Sequence, residues 1–387
     1  MIELKKATGA SSKPQLANLP PLYVSWLDEA LAGPLPAEGK ASCHACAMCS
    51  HQTPAGPKPT LYFNPATKCC TYLPNLPNFL VGRILGDDDP ALAVGRATVE
   101  ARLAQGIAVT PLGLGVNPAH TLLSRHSSAA FGQSATLRCP HYLEESGGCG
   151  IWRHRNAVCA TWFCKHERGA VGQAFWQTLY QLLTAIEAAL SRWCILRLDI
   201  GLPALQRLFP PAYNPPQTQP GYPKLTAQEL DTTFDEASYE GFWGNWAGRE
   251  RAFYQECARL VNALTWEEII AIGGPEVQVY WQLAKQAYGR LVSNAVSPSL
   301  KVGRWETLQS DKNYVQINSY SQYDPLRLPR RLANLLPYFD GRAIEEVLSE
   351  IKASEGISLS PELVRKLADF NILVPAEAAT QKADQLT

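Results

Sequence analysis

Cys139-Pro-His-Tyr-Leu-Glu-Glu-Ser-Gly-Gly-Cys149-Gly-Ile-Trp-Arg-His-Arg-Asn-Ala-Val-Cys159-Ala-Thr-Trp-Phe-Cys164-Lys-His166 places four cysteines at spacings of nine, nine and four residues, among aromatic and histidine side chains. Upstream, Cys43, Cys46 and Cys49 form a C-x2-C-x2-C run, and Cys69 and Cys70 are adjacent. Nine of the eleven cysteines and all seven histidines (His44, His51, His120, His126, His141, His154, His166) fall between residues 43 and 166. That window is only 124 of 387 positions, a concentration that residues without a common task would not show. An odd, clustered set of cysteines argues for thiolate ligands rather than a disulfide framework, so this region reads as a metal site.

Lys plus Arg equals Asp plus Glu, 35 each, and no global field steers the chain toward nucleic acid or an acidic membrane. Arg327, Arg330 and Arg331 make only a short basic patch, less than a groove reader carries. The start, Met-Ile-Glu-Leu-Lys-Lys, is followed by no apolar secretory segment. The most apolar helical stretch, residues 171–190, is interrupted by Gln173, Gln177, Gln181 and Glu187. The expectation is a cytoplasmic protein that engages neither nucleic acid nor membrane.

Outward from the cysteines, residues 1–40 read as an arm of which only Leu19–Leu27 packs. Residues 43–60 combine the first cysteine run with Pro54, Gly56, Pro57 and Pro59 and predict a turn-rich loop. A helix is expected to begin near Asp88, with Leu92, Val99 and Leu103 on one face, and to end at Gly106. Ile107–Thr110 reads as a short strand, and Pro111-Leu-Gly-Leu-Gly as a turn rather than a phosphate loop. Asp87, Asp88 and Asp89 read as a solvated helix start.

Beyond His166, apolar residues at Val171, Phe175, Leu179, Leu182, Ile186 and Leu190 recur at steps of 4, 4, 3, 4 and 4, an amphipathic helix. Cys194 and Cys257 stand alone among apolar neighbours and read as buried small hydrophobes. Seven prolines between 203 and 223 predict an extended linker. Helices follow through Phe253–Leu264 and Val277–Leu291, with a break at Gly273-Gly-Pro275. Trp305–Leu308 and Tyr314–Ile317 read as a hairpin, and Leu328–Tyr338, Ala343–Glu355 and Ser360–Phe370 as helices. The expected fold class is α+β, mainly helical. It comprises a Cys-rich, loop-dominated metal domain (1–167), a helical domain (168–300) containing the Pro-rich linker 203–223, and a small winged-helix-like unit (301–376).

The candidate ligands are Cys43, Cys46, Cys49, Cys69, Cys70, Cys139, Cys149, Cys159 and Cys164. Thiolate sites suit zinc and iron–sulfur clusters alike. Structural zinc commonly uses two separated C-x2-C knuckles, whereas three cysteines in x2 steps with a distant fourth match the ferredoxin manner of holding a cubane. The expectation is therefore one or two iron–sulfur clusters, of the [4Fe-4S] kind, with zinc as the alternative. Nine cysteines suffice for two four-ligand sites with one over. His44, His51, His141, His154 and His166 lie near cysteines and could complete a mixed Cys/His zinc site, but each reads as a donor to thiolate sulfur or an ordinary surface histidine in preference to a ligand, and His120 and His126 read as structural.

The segment Cys139-Pro-x-x-Leu, Cys149-x-Ile-Trp, Arg155-Asn, Cys159 and Phe163-Cys164 resembles the second half of the YkgJ-like CxxCxxCC family of zinc- or iron-chelating proteins, over about residues 43–166. Ser50 follows Cys49 where that family doubles its cysteine, and the double cysteine stands at Cys69-Cys70 instead; Asn156 replaces a proline. The resemblance implies a chelated metal or cluster. More weakly, the C-terminal hairpin, Leu335-Leu-Pro-Tyr-Phe-Asp-Gly341 and the helix ending in Phe370-Asn-Ile-Leu-Val374 resemble PqqD-like winged-helix modules, which implies an extended peptide partner bound by strand addition. Two functions follow: a cluster-dependent enzyme acting on a protein or peptide, or a zinc-binding, non-catalytic scaffold or peptide-binding protein. Flagellin lysine N-methylases are similar in carrying such a cysteine set, but the C-x3-C-x2-C triplet of radical S-adenosylmethionine enzymes is absent. No carboxylate pair, Ser/His/Asp order or phosphate loop stands out.

Overall fold

A computed structural model describes residues 19–39, 43, 46–49, 63–126, 130–210 and 236–376. Helix α1 (Pro21–Ala30) opens with proline at its first position, where no N–H is needed, and buries Tyr23, Trp26 and Leu27 on one face. Strands β1 (Leu76–Pro77), β2 (Val109–Thr110) and β3 (Gly113–Leu114) form a small antiparallel sheet in the order β1-β3-β2. Helix α2 (Asn78–Leu85) follows β1 and is almost wholly buried. Helix α3 (Ala93–Gln105) ends, as its sequence predicts, at Gly106. Helix α4 (Pro118–His126), the hairpin β4 (Tyr142–Leu143) and β5 (Gly148–Cys149), and the short helix α5 (Ala157–Thr161) complete the cysteine-bearing part.

The apolar repeat after His166 is α6 (Gly169–Arg197), whose buried positions include Phe175, Leu179, Leu182, Ile186 and Leu190. Residues 202–208 depart from the expected extended linker. They form α7 (Leu202–Leu208), because Pro203 occupies the first turn, where its missing N–H costs nothing; residues 211–223 lie outside the described set. Helices α8 (Glu236–Trp243) and α9 (Glu250–Asn262) follow. Helix α10 (Trp266–Val292) opens with a capping box, Thr265 and Glu268 each bonding the other's backbone. The predicted break at Gly273-Gly-Pro275 is a kink inside α10, with Gly274 at φ 61° and ψ −153°. Helix α2 packs on α9, and α6 on α10. One hydrophobic core runs from Leu19 to Leu291 through these helices. Cys194 and Cys257 are buried in it, one sulfur beside the other residue's carbonyl at 3.9 Å, in keeping with the apolar role read from their surroundings.

A second core, Leu300 to Leu373, lies beneath two three-stranded sheets. One has the order β7 (Glu306–Ser310), β8 (Tyr314–Asn318), β9 (Leu326–Pro329); the other joins β6 (Ser299–Val302) to β10 (Asp340–Ala343) and β11 (Leu373–Pro375). The expected helix at 328–338 is instead the end of β9, the single turn α11 (Arg330–Ala333) and a 3-10 turn at Leu336–Tyr338. Tyr314 pairs with Pro329 and Ile317 with Leu326, so tertiary pairing overrides the local helical pattern there. Helices α12 (Ile344–Glu355) and α13 (Pro361–Asp369), the latter capped by Ser360, lie where their sequences predict. The chain is thus α+β and mainly helical, with small sheets. Among the described residues no helix is long and apolar enough to cross a membrane.

Candidate metal centre

The cysteines come together because several short, irregular pieces of chain are pinned to each other by backbone hydrogen bonds. Residues 65–70 form a turn, stapled by the Thr67 hydroxyl to the Gly132 carbonyl at 3.1 Å. The Cys139 N–H then donates to the Cys70 carbonyl at 2.7 Å, placing the first cysteine of the long segment against the adjacent pair. Lys68, at φ 50°, sends its ammonium to the carbonyls of both Cys43 and Gly147. One side chain thereby gathers the first cysteine run and the β4–β5 hairpin onto the same turn. Cys46 and Cys49 are linked by a backbone bond of 3.1 Å, and Cys49 bridges to Phe63.

Cys159 is held from the opposite side. Asn156 caps α5 by accepting the Cys159 N–H, while its own amide reaches the Asn75 carbonyl at 3.1 Å. The Ala157 N–H donates to Glu187 Oε1 of α6 at 2.7 Å. His154 bonds Asp87 at 2.7 Å and Arg153 bonds Asp89 at 2.8 Å. Asp87 and Asp89 are therefore clamps on the segment between Cys149 and Cys159, more than a solvated helix start.

The result is a cavity of about 380 Å³ whose walls carry Cys43, Cys46, Cys69, Cys70, Cys139, Cys149, Cys159 and Cys164. Cys49 is not among the lining residues but shares a side-chain hydrogen bond with Cys46, which is. Cys69 is the hub: its charge is felt by Cys43, Cys49, Cys70, Cys139, Cys149, Cys159 and Cys164. All nine predicted residues therefore belong to one group. Among the described residues no three Cys, His, Asp or Glu side chains are gathered as they would be around a single metal ion. His44 and His51 lie outside the described residues, as does the side chain of His126. His120 bonds the Leu137 carbonyl at 3.3 Å, a structural contact.

Burial pushes the thiols up: Cys43 to about 11, and Cys49, Cys139 and Cys164 to about 12. Cys149 and Cys159 rise for the same reason. Cys69 moves the other way, because the Cys70 thiol donates to it and Arg155 and Lys68 stand nearby. A metal cation entering such a site displaces the remaining protons. The Cys139 sulfur receives the backbone N–H of His141, and the Cys149 sulfur that of Ile151. Donors of this kind stabilise thiolate charge.

Sequence reading did not assign a role to the cations of this site. Arg155 is 6% exposed, lies over the Trp152 ring at 3.4 Å, and donates to the carbonyls of Trp152 and Cys159. Its permanent charge faces Cys43, Cys69, Cys149 and Cys159 and offsets the charge that bound thiolates would bring. A lysine directly before the double cysteine and an arginine four residues before Cys159 were the available signals. Tyr323 was missed as well. It comes from the C-terminal unit and meets Trp162 at 6.2 Å; Trp162 in turn meets Phe131 at 5.9 Å, forming an aromatic rim over the cavity.

Eight soft sulfur donors, buried N–H groups aimed at two of them and one buried guanidinium are the chemistry of a thiophilic metal site, and the residues fit such a group. In comparisons with protein-family models, curated proteins and solved structures, nothing matches this chain.

Proposed function

We propose that this is an iron–sulfur protein whose nine clustered cysteines hold one or two [4Fe-4S] clusters. The observation that supports this reading is the distribution of the thiols: eight line the walls of one cavity of about 380 Å³, more than the four donors that one zinc ion takes. A zinc site draws four donors onto one ion at about 2.0–2.3 Å. In a cubane each thiolate serves its own iron, so the sulfurs stand apart on the walls of a volume. The resemblance to the CxxCxxCC family agrees with a chelated metal.

A bound cluster would supply electron transfer, or Lewis acidity at an iron left without a thiolate. The chain's own part is distinct. Arg155 and Lys68 offset thiolate charge, the N–H groups of His141 and Ile151 stabilise sulfur, and Phe131, Trp162 and Tyr323 give the cavity an aromatic rim. The activity proposed is a cluster-dependent modification of a protein or peptide. Edge strand β7, paired on one side with β8, offers the site for an extended partner in a winged-helix-like unit.

The test is the visible spectrum of protein purified without oxygen, with iron, zinc and acid-labile sulfide measured on the same sample. A brown protein with iron and sulfide near four or eight per chain is expected. Colourless protein with stoichiometric zinc would instead make it a metal-stapled scaffold.

A further inference from the structure

We propose that His141 Nε2 is a ligand of the metal centre in the cysteine cavity; this rests on the cluster reading above. Three observations converge on that residue. First, His141 is the histidine that, among the described residues, lines the cavity, between Cys139 and Cys149. Its carbonyl accepts the Gly150 N–H at 2.8 Å, which locks its backbone to the residue following Cys149.

Second, the ring's tautomer is fixed by α3. The Thr98 hydroxyl lies 2.6 Å from the Gly95 carbonyl and 2.6 Å from His141 Nδ1. A hydroxyl has one proton, and a carbonyl can only accept. The Thr98 proton therefore goes to Gly95, and the hydroxyl oxygen must accept the Nδ1–H of the imidazole. The proton of the neutral ring is thus on Nδ1, and Nε2 carries a lone pair.

Third, that lone pair has no partner. His141 is 1% exposed, and Nε2 is buried without a hydrogen bond. Folded proteins leave few such atoms unsatisfied, since each costs about 1–3 kcal/mol. A ring held by its other N–H, in a residue that lines a cavity of thiols and with its second nitrogen buried and unsatisfied, is how metal-binding histidines are presented. His154 differs: its Nε2 is occupied by Asp87, and it does not line the cavity. Coordination through Nε2 donates the lone pair and releases no proton. It gives one metal position a nitrogen in place of a sulfur.

The experiment uses the full chain, loaded anaerobically with ferrous iron and sulfide and reduced, with pulsed electron paramagnetic resonance as the readout. Samples carrying 15N-histidine and natural-abundance histidine are compared, for the wild type and for His141→Cys. The expected result is a strong histidine-nitrogen coupling in the wild type that changes with the isotope and is lost in His141→Cys at unchanged iron content. Iron and sulfide bound without that coupling in the wild type, a result independent of how the variant folds, would overturn the assignment and leave the cluster reading standing. Coupling retained in iron-loaded His141→Cys would overturn it equally. A wild type that binds no iron and sulfide would sink the cluster reading, and this inference with it.

Discussion

Arg168 and Asp369, 201 residues apart, form a two-point ion pair, with Nε to Oδ2 at 2.9 Å and Nη2 to Oδ1 at 2.6 Å. The same guanidinium donates to the carbonyls of Leu291 and Ser293. One side chain, four residues after Cys164, thus ties the cysteine segment to the end of α10 and to α13. Both partners are largely buried, so Arg168→Ala strands a carboxylate and is expected to cost about 3 kcal/mol in urea unfolding. Arg168→Lys keeps the charge but not the fork, and its loss should fall between the two.

Cys149→Ala, Cys159→Ala and Cys164→Ala should each lose most of the bound metal, because all three sulfurs belong to the group around Cys69. Cys194→Ala and Cys257→Ala remove a sulfur from the apolar core and should keep full metal content, with a stability cost of about 1 kcal/mol from the small cavity. Metal analysis of the five variants decides this. Full content in the first three would sink the site.

Spacing alone marked the cysteines and the long helices, because thiolate convergence and helical burial are both written in short-range periodicity. Val171 to Leu190 and Val347 to Ile351 needed no tertiary knowledge. Ser299–Val302, Asp340–Ala343 and Leu373–Pro375 were not legible as strands: each is three or four residues long and pairs with chain tens of residues away. The site divides in the same way. The nine cysteines were readable, but their convergence depends on Lys68 reaching two carbonyls and on Cys139 meeting Cys70. The tautomer of His141 depends on Thr98, 43 residues earlier on another element. Those are contacts between segments, which a spacing rule cannot see.

Glu187 gives a dependence on pH. It is buried in α6, and its Oε1 receives the Tyr23 hydroxyl and the Ala157 N–H. Burial pushes the carboxyl up to about 8, against the pull of those two bonds; Tyr23, itself pushed up, stays protonated, and Tyr72 stands nearby. The folded chain therefore holds a proton between pH 4.5 and about 8 that the unfolded chain has lost. Stability from this group is fully present below 4.5 and falls as pH rises, by at most about 1.4 kcal/mol per pH unit, levelling above 8. Glu187→Gln keeps the acceptor and does not titrate. The wild-type-minus-variant difference in unfolding free energy should slope downward across that window, and a flat difference would refute the buried-proton account.

Gly95 tests how α3 backs the metal segment. An alanine inside a helix is ordinarily better than glycine by about 1 kcal/mol. At Gly95 the added Cβ would overlap the carbonyl of Gly150, and Gly150 cannot retreat, because it follows Cys149 and its N–H is bonded to His141. The sign should therefore reverse: Gly95→Ala is expected to destabilise by about 1–3 kcal/mol and to lower metal uptake, since the displaced strand carries Cys149. Gly289 supplies the contrast. It lies in α10, exposed, with nothing within 4 Å of an added Cβ, so Gly289→Ala should stabilise by about 0.4–1 kcal/mol and leave metal content unchanged. Opposite signs for one substitution at two helical glycines, read by urea unfolding, would establish the contact between α3 and Gly150 as the support of the cysteine wall; stabilisation at both positions would remove it.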